Sequence, residues 1–293
     1  MDRRDQALAL AGLLALAGCR SAPGTLRVTF LDVGQGDSTV IEAPSGKVVL
    51  IDGGGAPGRD PRDGNEPGSR VVVPFLRSRG ISTIDLLIAT HPDDDHVQGL
   101  LAVTERLSVR AVLDSGIPSA PGSSLALLRA AWKARGVRVH QAQRGQTFDL
   151  GSGARLEILH PAPPFLHGTR SDDNNNAIVA RLVYGKARVL FMADAETEAE
   201  ESLLQAHLEL AADILKVGHH GARTSTTPAF LQRVAPQAAI ISCGRQNRFG
   251  HPHSETLTRL KNPQIQLFRT DQQGAIALES DGEQLHIVPR IGL

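Results

Sequence analysis

The run Thr90-His91-Pro92-Asp93-Asp94-Asp95-His96 constrains this chain more than any other stretch. Two histidines and three aspartates fall within seven positions, directly after the apolar run Ile84-Asp85-Leu86-Leu87-Ile88-Ala89. That run predicts a buried strand of a layered α/β sheet. The cluster therefore leaves at the strand's end, where such folds place their chemistry, and Val97 to Leu107 reads as a helix. Imidazoles and carboxylates packed this densely repel one another or stay unpaired unless something cationic holds them. A divalent metal ion, or a pair of them, is the economical solution. The bland alternative is a solvated acidic turn with two incidental histidines, but other parts of the chain converge on the same chemistry.

Ahead of the cluster, Leu26–Val33, Ser38–Ala43 and Lys47–Asp52 alternate like the strands of a meander with glycine-punctuated turns. The third strand ends in Asp52-Gly53-Gly54-Gly55, and a Pro/Gly/charged loop from Ala56 to Ser69 follows, beside the expected site. Val71–Arg79 reads as a helix with Pro74 in its first turn. Behind the cluster come a strand at Val109–Leu113, a helix at Ser124–Arg135 capped by Gly136, and strands at Val137–His140 and Arg155–Leu159. A long proline-rich and polar connection runs from His160 to Asn176.

The second half repeats the style. Strands are expected at Ala177–Val183, Ala187–Met192, Asp213–Val217 and Ala238–Ser242, with helices at Glu196–Leu208, Pro228–Val234 and Ser254–Leu260. Closing strands follow near Gln264–Arg269 and Gly274–Leu278. Strands and then βα units, twice over, imply two sheets covered by helices. Acid or imidazole side chains collect at the strand ends: Asp52, the cluster itself, Asp194, His219-His220, and His251 or His253. Asp194 ends an all-apolar strand, and the next strand ends in His-His-Gly, so parallel pairing would bring both to one sheet edge. Asp52 is expected to orient a ligating imidazole rather than ligate, since metal-bound imidazoles need such a partner.

The 293 residues carry a net charge of 0 and are 41% hydrophobic, which fits a globular chain with a sizeable core and argues against a general polyanion-binding surface. Arg3 and Arg4 precede an apolar run from Ala7 to Ala17 that is too short to span a bilayer. The run ends in Leu16-Ala17-Gly18-Cys19, which resembles a bacterial lipobox. Residues 1–18 are thus expected to be a signal peptide, Cys19 the lipidated first residue, 19–25 a tether, and 26–293 the functional domain. The expected location is the cell envelope, anchored by lipid alone. Cys243 then has no disulfide partner and reads as a buried strand residue.

Taken together, FLDVGQGDSTVI (30–41), IDGGG (51–55), ATHPDDDHVQG (89–99), the strand ending in Met192-Ala193-Asp194, LKVGHHGARTST (215–226), NRFGHPH (247–253) and RTDQQGAI (269–276) resemble the metallo-β-lactamase superfamily. More closely they resemble the extracytoplasmic domain of ComEC-type DNA-internalisation proteins. The resemblance implies an α+β sandwich of four αβ/βα layers and a dinuclear zinc or manganese site. It makes His91 and Asp93 ligands of one ion, Asp95 and His96 of the other, and Asp194 the bridge. His219, His220 and His251 fill the remaining positions as last ligand, proton donor or substrate contact, with His220 favoured as the ligand. Asn247 is an expected supporting residue. Asp93 departs from the histidine usual in the superfamily, which shifts the preference toward harder ions such as manganese or magnesium. The superfamily's middle histidine has no clear counterpart; His140, His160 and His167 qualify by position alone. The multi-helix channel of ComEC-type proteins has no equivalent here, so a role in DNA uptake does not transfer.

The expected activity is metal-assisted hydrolysis of a phosphodiester, with Asp95 holding water, and single-stranded DNA among the candidate substrates. Arg70, Arg77, Arg79, Arg223, Arg245 and Arg248 could reach a phosphate backbone, although an aromatic content of 3% offers little base stacking. Rival readings are a same-fold hydrolase of a small ester, phosphocholine ester, lactone or lactam, and a non-catalytic ligand-binding lipoprotein. The sequence leaves the oligomeric state open.

Overall fold

The computed structural model describes residues 24–58, 60, 62 and 64–291. The proposed signal segment, Cys19 and the tether before Gly24 lie outside the described residues. Among those that are described, no helix is long and apolar enough to cross a membrane.

The first half of the chain supplies β1 (Leu26–Phe30), β2 (Thr39–Glu42), β3 (Val48–Ile51), β4 (Thr83–Ile84), β5 (Leu86–Ala89), β6 (Ser108–Val109), β7 (Ala111–Asp114) and β8 (Arg138–Gln141). Next come β9 (Thr147–Gly151), β10 (Ala154–His160), β11 (Val179–Tyr184), β12 (Ala187–Phe191), β13 (Ile214–Lys216), β14 (Ala238–Ile241) and β15 (Gln266–Arg269). The last strands are β16 (Ala275–Ser280) and β17 (Leu285–Ile291). One sheet has the order β17-β16-β1-β2-β3-β5-β7-β8, the other β15-β14-β13-β12-β11-β10-β9, and β4 pairs with β6 alone. The run β3-β5-β7-β8 is parallel, as is β12-β13-β14-β15.

Helices α1 (Val73–Ser78), α2 (Asp94–Val97), α3 (Leu100–Arg106) and α4 (Ser124–Ala134) belong to the first half. Helices α5 (Asp172–Asn175), α6 (Thr197–Gln205), α7 (Pro228–Val234), α8 (Ser254–Leu260) and α9 (Thr270–Gln273) belong to the second. The strand pleat sorts side chains into three cores. Leu86 and Ile88 of β5 point inward, into a cluster that includes Phe30, Leu182, Phe191 and Ile240 from both sheets. Leu87 and Ala89 point outward against Leu76, Leu100, Leu128 and Trp132 of the first helical layer. On the far side, Leu190, Leu215 and Ile241 pack with Leu203, Phe230 and Leu260. This is the expected four-layer αβ/βα sandwich. Strands covered on both faces need no polar alternation, which explains the continuous apolar runs. Phe30 and Phe191 meet across the sandwich with ring centroids 6.1 Å apart. Each buried ring contributes roughly 1.5–3 kcal/mol to packing the two sheets on which the site draws.

Two strands have no counterpart in the sequence reading. The edge strand β9 has mostly exposed or half-buried side chains, so TFDLG shows no apolar pattern. β17 contains Pro289, which argues against a central strand but is tolerated where β17 lies, at the other sheet's edge.

His160 ends β10 in the interior. Its Nε2 donates to the Asn175 carbonyl at 2.8 Å. Burial, aided by Arg144, pushes its pKa down to about 4. The unfolded imidazole, near 6.5, takes up a proton that the folded ring refuses. This contribution to stability is complete above pH 6.5 and is lost as pH falls toward 4. Urea unfolding across that window should show a decline that His160→Gln lacks, on the order of 3 kcal/mol at most. Parallel pH profiles for the two proteins would contradict a buried neutral His160.

Candidate metal centre

The centre lies where the C-terminal ends of parallel strands from both sheets meet. β3 delivers Asp52, β5 delivers Thr90 and His91, β12 delivers Asp194, and β13 delivers Lys216 and then His219 and His220. The cluster behind β5 starts its helix earlier than the apolar pattern suggests, at Asp94 rather than Val97. Asp93 stands just before it in extended conformation (φ −64°, ψ 137°), and two aspartates in the first turn suit the positive end of the helix dipole. Two glycines let the backbone of β1–β3 approach this turn. A Cβ on Gly36 would lie 2.1 Å from the Asp95 carbonyl oxygen, and one on Gly55 would lie 1.8 Å from that of Asp94.

Two imidazoles define the middle. His96 and His220 are buried, with their Nε2 atoms 3.3 Å apart. His96 Nδ1 donates to Asp52 Oδ2 at 2.8 Å, and His220 Nδ1 donates to the Ser242 carbonyl at 2.9 Å. Both Nδ1 atoms serve as donors, so in the neutral rings both Nε2 lone pairs point at the same space. Three carboxylate oxygens face that space as well. Asp194 Oδ1 is 3.1 Å from His96 Nε2, and Asp194 Oδ2 and Asp95 Oδ2 are 3.3 and 3.4 Å from His220 Nε2. Lone pairs and anions converging this closely fit a divalent cation.

A second donor group adjoins the first. His91 Nε2 is 3.7 Å from Asp93 Oδ2 and 3.9 Å from Asp194 Oδ2, and this buried atom makes no hydrogen bond. Its Nδ1 lies 3.0 Å from Thr90 Oγ1, whose hydroxyl donates to Asp52 Oδ2 at 2.6 Å. Asp52 thus organises both imidazoles, and Oδ1 accepts the Thr90 N–H at 2.9 Å.

Electrostatics agree. Burial alone would raise the Asp194 carboxyl, but His220, His96 and His219 hold it well below the usual range. Burial likewise opposes charge on His96 and His220, yet Asp194 lifts both well above an ordinary imidazole, aided by Asp52 at one ring and by Asp37 and Asp95 at the other. Carboxylates and imidazoles here stabilise each other's charge, and a divalent cation would take the place of the imidazole protons. Non-glycine residues in left-handed backbone also collect here: Asp52 (φ 56°), Ala193 (46°), His219 (46°) and His220 (54°). Each costs roughly 1–2 kcal/mol, strain that concentrates at functional sites.

The structure brings His91, Asp93, Asp95, His96, Asp194, His219 and His220 together, with Asp52 behind them. His251 stands at the rim, its ring centroid 5.3 Å from that of His219 and 6.0 Å from that of His220. Asn247 pins the rim loop: its amide donates to the carbonyls of Gly244 and His251 at 2.9 and 2.6 Å and accepts the His251 N–H at 2.9 Å. None of the three positional candidates for a middle histidine joins the centre. His140 is exposed on edge strand β8, His167 is exposed beside Asp172 at 3.8 Å, and His160 is committed to Asn175. Arg79 is also removed from the candidate phosphate contacts, since it is buried and bonded twice to Glu42, at 3.0 and 3.2 Å. Cys243 is buried beyond β14 and gives its thiol to Asp271 at 3.3 Å. Burial pushes that thiol up to about 12, which suits an inert residue.

Three residues escaped the sequence reading. Asp37 is buried, and its ligand atom lies within 4.8 Å of those of His96, Asp194 and His220. Lys216 is buried and ion-paired to Asp37. Glu196 accepts the His219 Nδ1 proton at 2.7 Å. A lysine inside the otherwise apolar β13 was the available signal, because a buried ammonium demands an anion. Asp37 and Glu196 looked like an ordinary turn residue and a helix start.

Asp52→Asn keeps a residue that tolerates left-handed backbone and removes one acceptor from a cluster of three donors. It should weaken divalent-ion binding about 10–100-fold, read by competition with a chromophoric chelator. Unchanged affinity would show that Asp52 does not orient the centre.

Residues 31–245 match the model of the metallo-beta-lactamase superfamily. The chain is 34% identical over 272 residues to ComE operon protein 3 of Bacillus subtilis (strain 168), covering 90% of this chain and 34% of that protein. It is 29% identical over 270 residues to competence protein ComA of Neisseria gonorrhoeae, covering 92% of this chain and 34% of that one. It therefore spans about a third of the length of these relatives. Among solved structures, YhfI of Bacillus subtilis, a metallo-beta-lactamase fold protein, superposes with a TM-score of 0.55 at 10% identity over 87% of this chain and 100% of that one. CmlA beta-hydroxylase does so with a TM-score of 0.55 at 15% identity, over 89% and 55%. At such identities these two show the fold alone. The family match, the layered sandwich and the strand-end donor cluster agree: the chain belongs to the metallo-β-lactamase superfamily.

Proposed function

We propose that this protein is a metal-dependent phosphodiesterase acting outside the cytoplasm. The observation that carries the reading is the pair of Nε2 atoms 3.3 Å apart, with Asp95 and Asp194 facing them. Asp95, Asp194, His96 and His220 would hold one divalent ion, and His91, Asp93 and Asp194 a second. Bound divalent ions supply Lewis acidity to a phosphoryl oxygen and lower the pKa of water.

The chain's own residues do the rest. Asp95 orients the attacking water. His219 is the proton donor: Glu196 anchors its Nδ1, and its side chain is 25% exposed where those of His96 and His220 are closed off. Burial opposes charging this ring, but Asp194 and Glu196 raise its pKa, the direction a proton donor needs. His251, with its pKa lowered to about 4 by burial and the neighbouring imidazoles, stays neutral and can contact a substrate oxygen. The names of the relatives, a competence protein among them, favour DNA as a substrate to try first. Hydrolysis of a small ester by the same groups is the rival, and turnover of such esters without cleavage of nucleic acid would favour it.

His219→Ala should lower the rate of single-stranded DNA cleavage by about 10²–10⁴-fold. It should affect bis-p-nitrophenyl phosphate far less, because that leaving group needs no proton. Glu196→Gln should show the same substrate pattern with a smaller loss. Equal losses on both substrates would contradict the proton-donor role. Asp95→Ala should abolish both activities, and a fully active variant would contradict the role given to Asp95. If Cys19 is the lipid anchor, Cys19→Ser should move the protein from the detergent to the aqueous phase on Triton X-114 partition, whereas an unmoved protein would contradict the anchor.

A further inference from the structure

β13 ends on a charge. Lys216 is its last residue, in the interior of the second sheet, and only 2% of it is exposed. A buried ammonium without a counter-ion is strongly unfavourable. Lys216 pairs with Asp37, which lies between β1 and β2 in the opposite sheet. Asp37 is placed by its backbone: its N–H donates to the Asp95 carbonyl at 3.2 Å, and its own carbonyl accepts the Gly54 N–H at 2.8 Å. Oδ2 faces Lys216, and Oδ1 stands 3.4 Å from His220 Nδ1.

That position has chemical meaning. His96, Asp95 and Asp194 all face the Nε2 side of His220. Asp37 lies at Nδ1, beside the bond from Nδ1 to the Ser242 carbonyl. A carboxylate there acts on the ring, not on an ion beyond it. Its negative charge favours the Nδ1 proton that the Ser242 carbonyl accepts, and so makes the Nε2 lone pair a better donor. Yet Asp37 remains within 4.8 Å of the ligand atoms, so little separates orienting from ligating. The opposing pull on its carboxylate comes from Lys216.

We infer that Lys216 is a positioning residue of the metal centre: its ammonium holds Asp37 against His220 Nδ1, outside the donor set, and offsets negative charge that would otherwise act on the ion. The inference rests on the metal-centre reading but not on hydrolysis. Without the ammonium, Asp37 is an uncompensated buried anion. The metal-free fold weakens, and a divalent cation is drawn in more strongly. Without the Asp37 charge, the His220 ring loses its support and the centre binds more weakly.

The test is a double-mutant cycle on the whole protein with Lys216→Met, Asp37→Asn and their combination. Affinity for Zn²⁺ and Mn²⁺ is read by chelator competition, and Tm is read with and without each ion. Asp37→Asn should weaken binding about tenfold or more. Lys216→Met should lower the metal-free Tm, tighten binding by about tenfold, and regain the lost Tm when the ion is added. The double variant should recover metal-free Tm and bind like Asp37→Asn. A residue that merely fills space would lower Tm equally with and without ions and leave affinity unchanged, which would overturn the inference. Unchanged binding in Asp37→Asn would overturn it too. If the wild type binds neither ion, the metal centre falls and this inference with it; if the wild type binds and Lys216→Met binds identically, only the inference falls.

Discussion

Two imidazole nitrogens that face each other at 3.3 Å in a buried space set the terms for this molecule. Left neutral, their lone pairs repel; protonated, two buried cations would crowd each other. The surrounding chain fixes where their protons can sit. Asp52 and the Ser242 carbonyl take the Nδ1 protons, so the rings cannot turn their N–H groups inward. Asp95 and Asp194 then add anionic oxygens to the same space. A divalent cation resolves all of these conflicts at once, because it accepts both lone pairs and neutralises the carboxylates.

The fold exists to hold that conflict in place. Each donor leaves the C-terminal end of a parallel strand, and the strands belong to two sheets locked by a common apolar core. Left-handed backbone at Asp52, Ala193, His219 and His220 turns the chain sharply enough to aim side chains at one point. A loose scaffold would relax that strain, whereas strands buried on both faces cannot. Glycines at 36 and 55 complete the fit by letting the meander touch the Asp94–Asp95 turn without an intervening Cβ.

Most of the fold and the gathering of acids and imidazoles at one sheet edge are legible because apolar runs end abruptly in acids and histidines. The central strands showed themselves by continuous apolarity; β9 and β17 hid because edge strands carry polar side chains or proline. At the centre, the residues with visible spacing stand out in the sequence, and those identified only by three-dimensional partners do not. Asp37 and Lys216 are far apart in sequence and neither is unusual alone; their meaning comes from packing two sheets together. Glu196 reads as a helix start until His219 is seen to donate to it. The His160, His140 and His167 candidates show the converse, since position along the chain says little about where an imidazole points.

The most direct measurement is anomalous diffraction from crystals of the protein soaked with Zn²⁺ or Mn²⁺, recorded at each metal's absorption edge. The expected result is a peak at about 2 Å from both His96 Nε2 and His220 Nε2, with Asp194 bound to the same ion. Density at that point with no anomalous signal for either metal, or metal bound elsewhere on the surface with the two rings unchanged, would contradict a metal centre held by these two imidazoles.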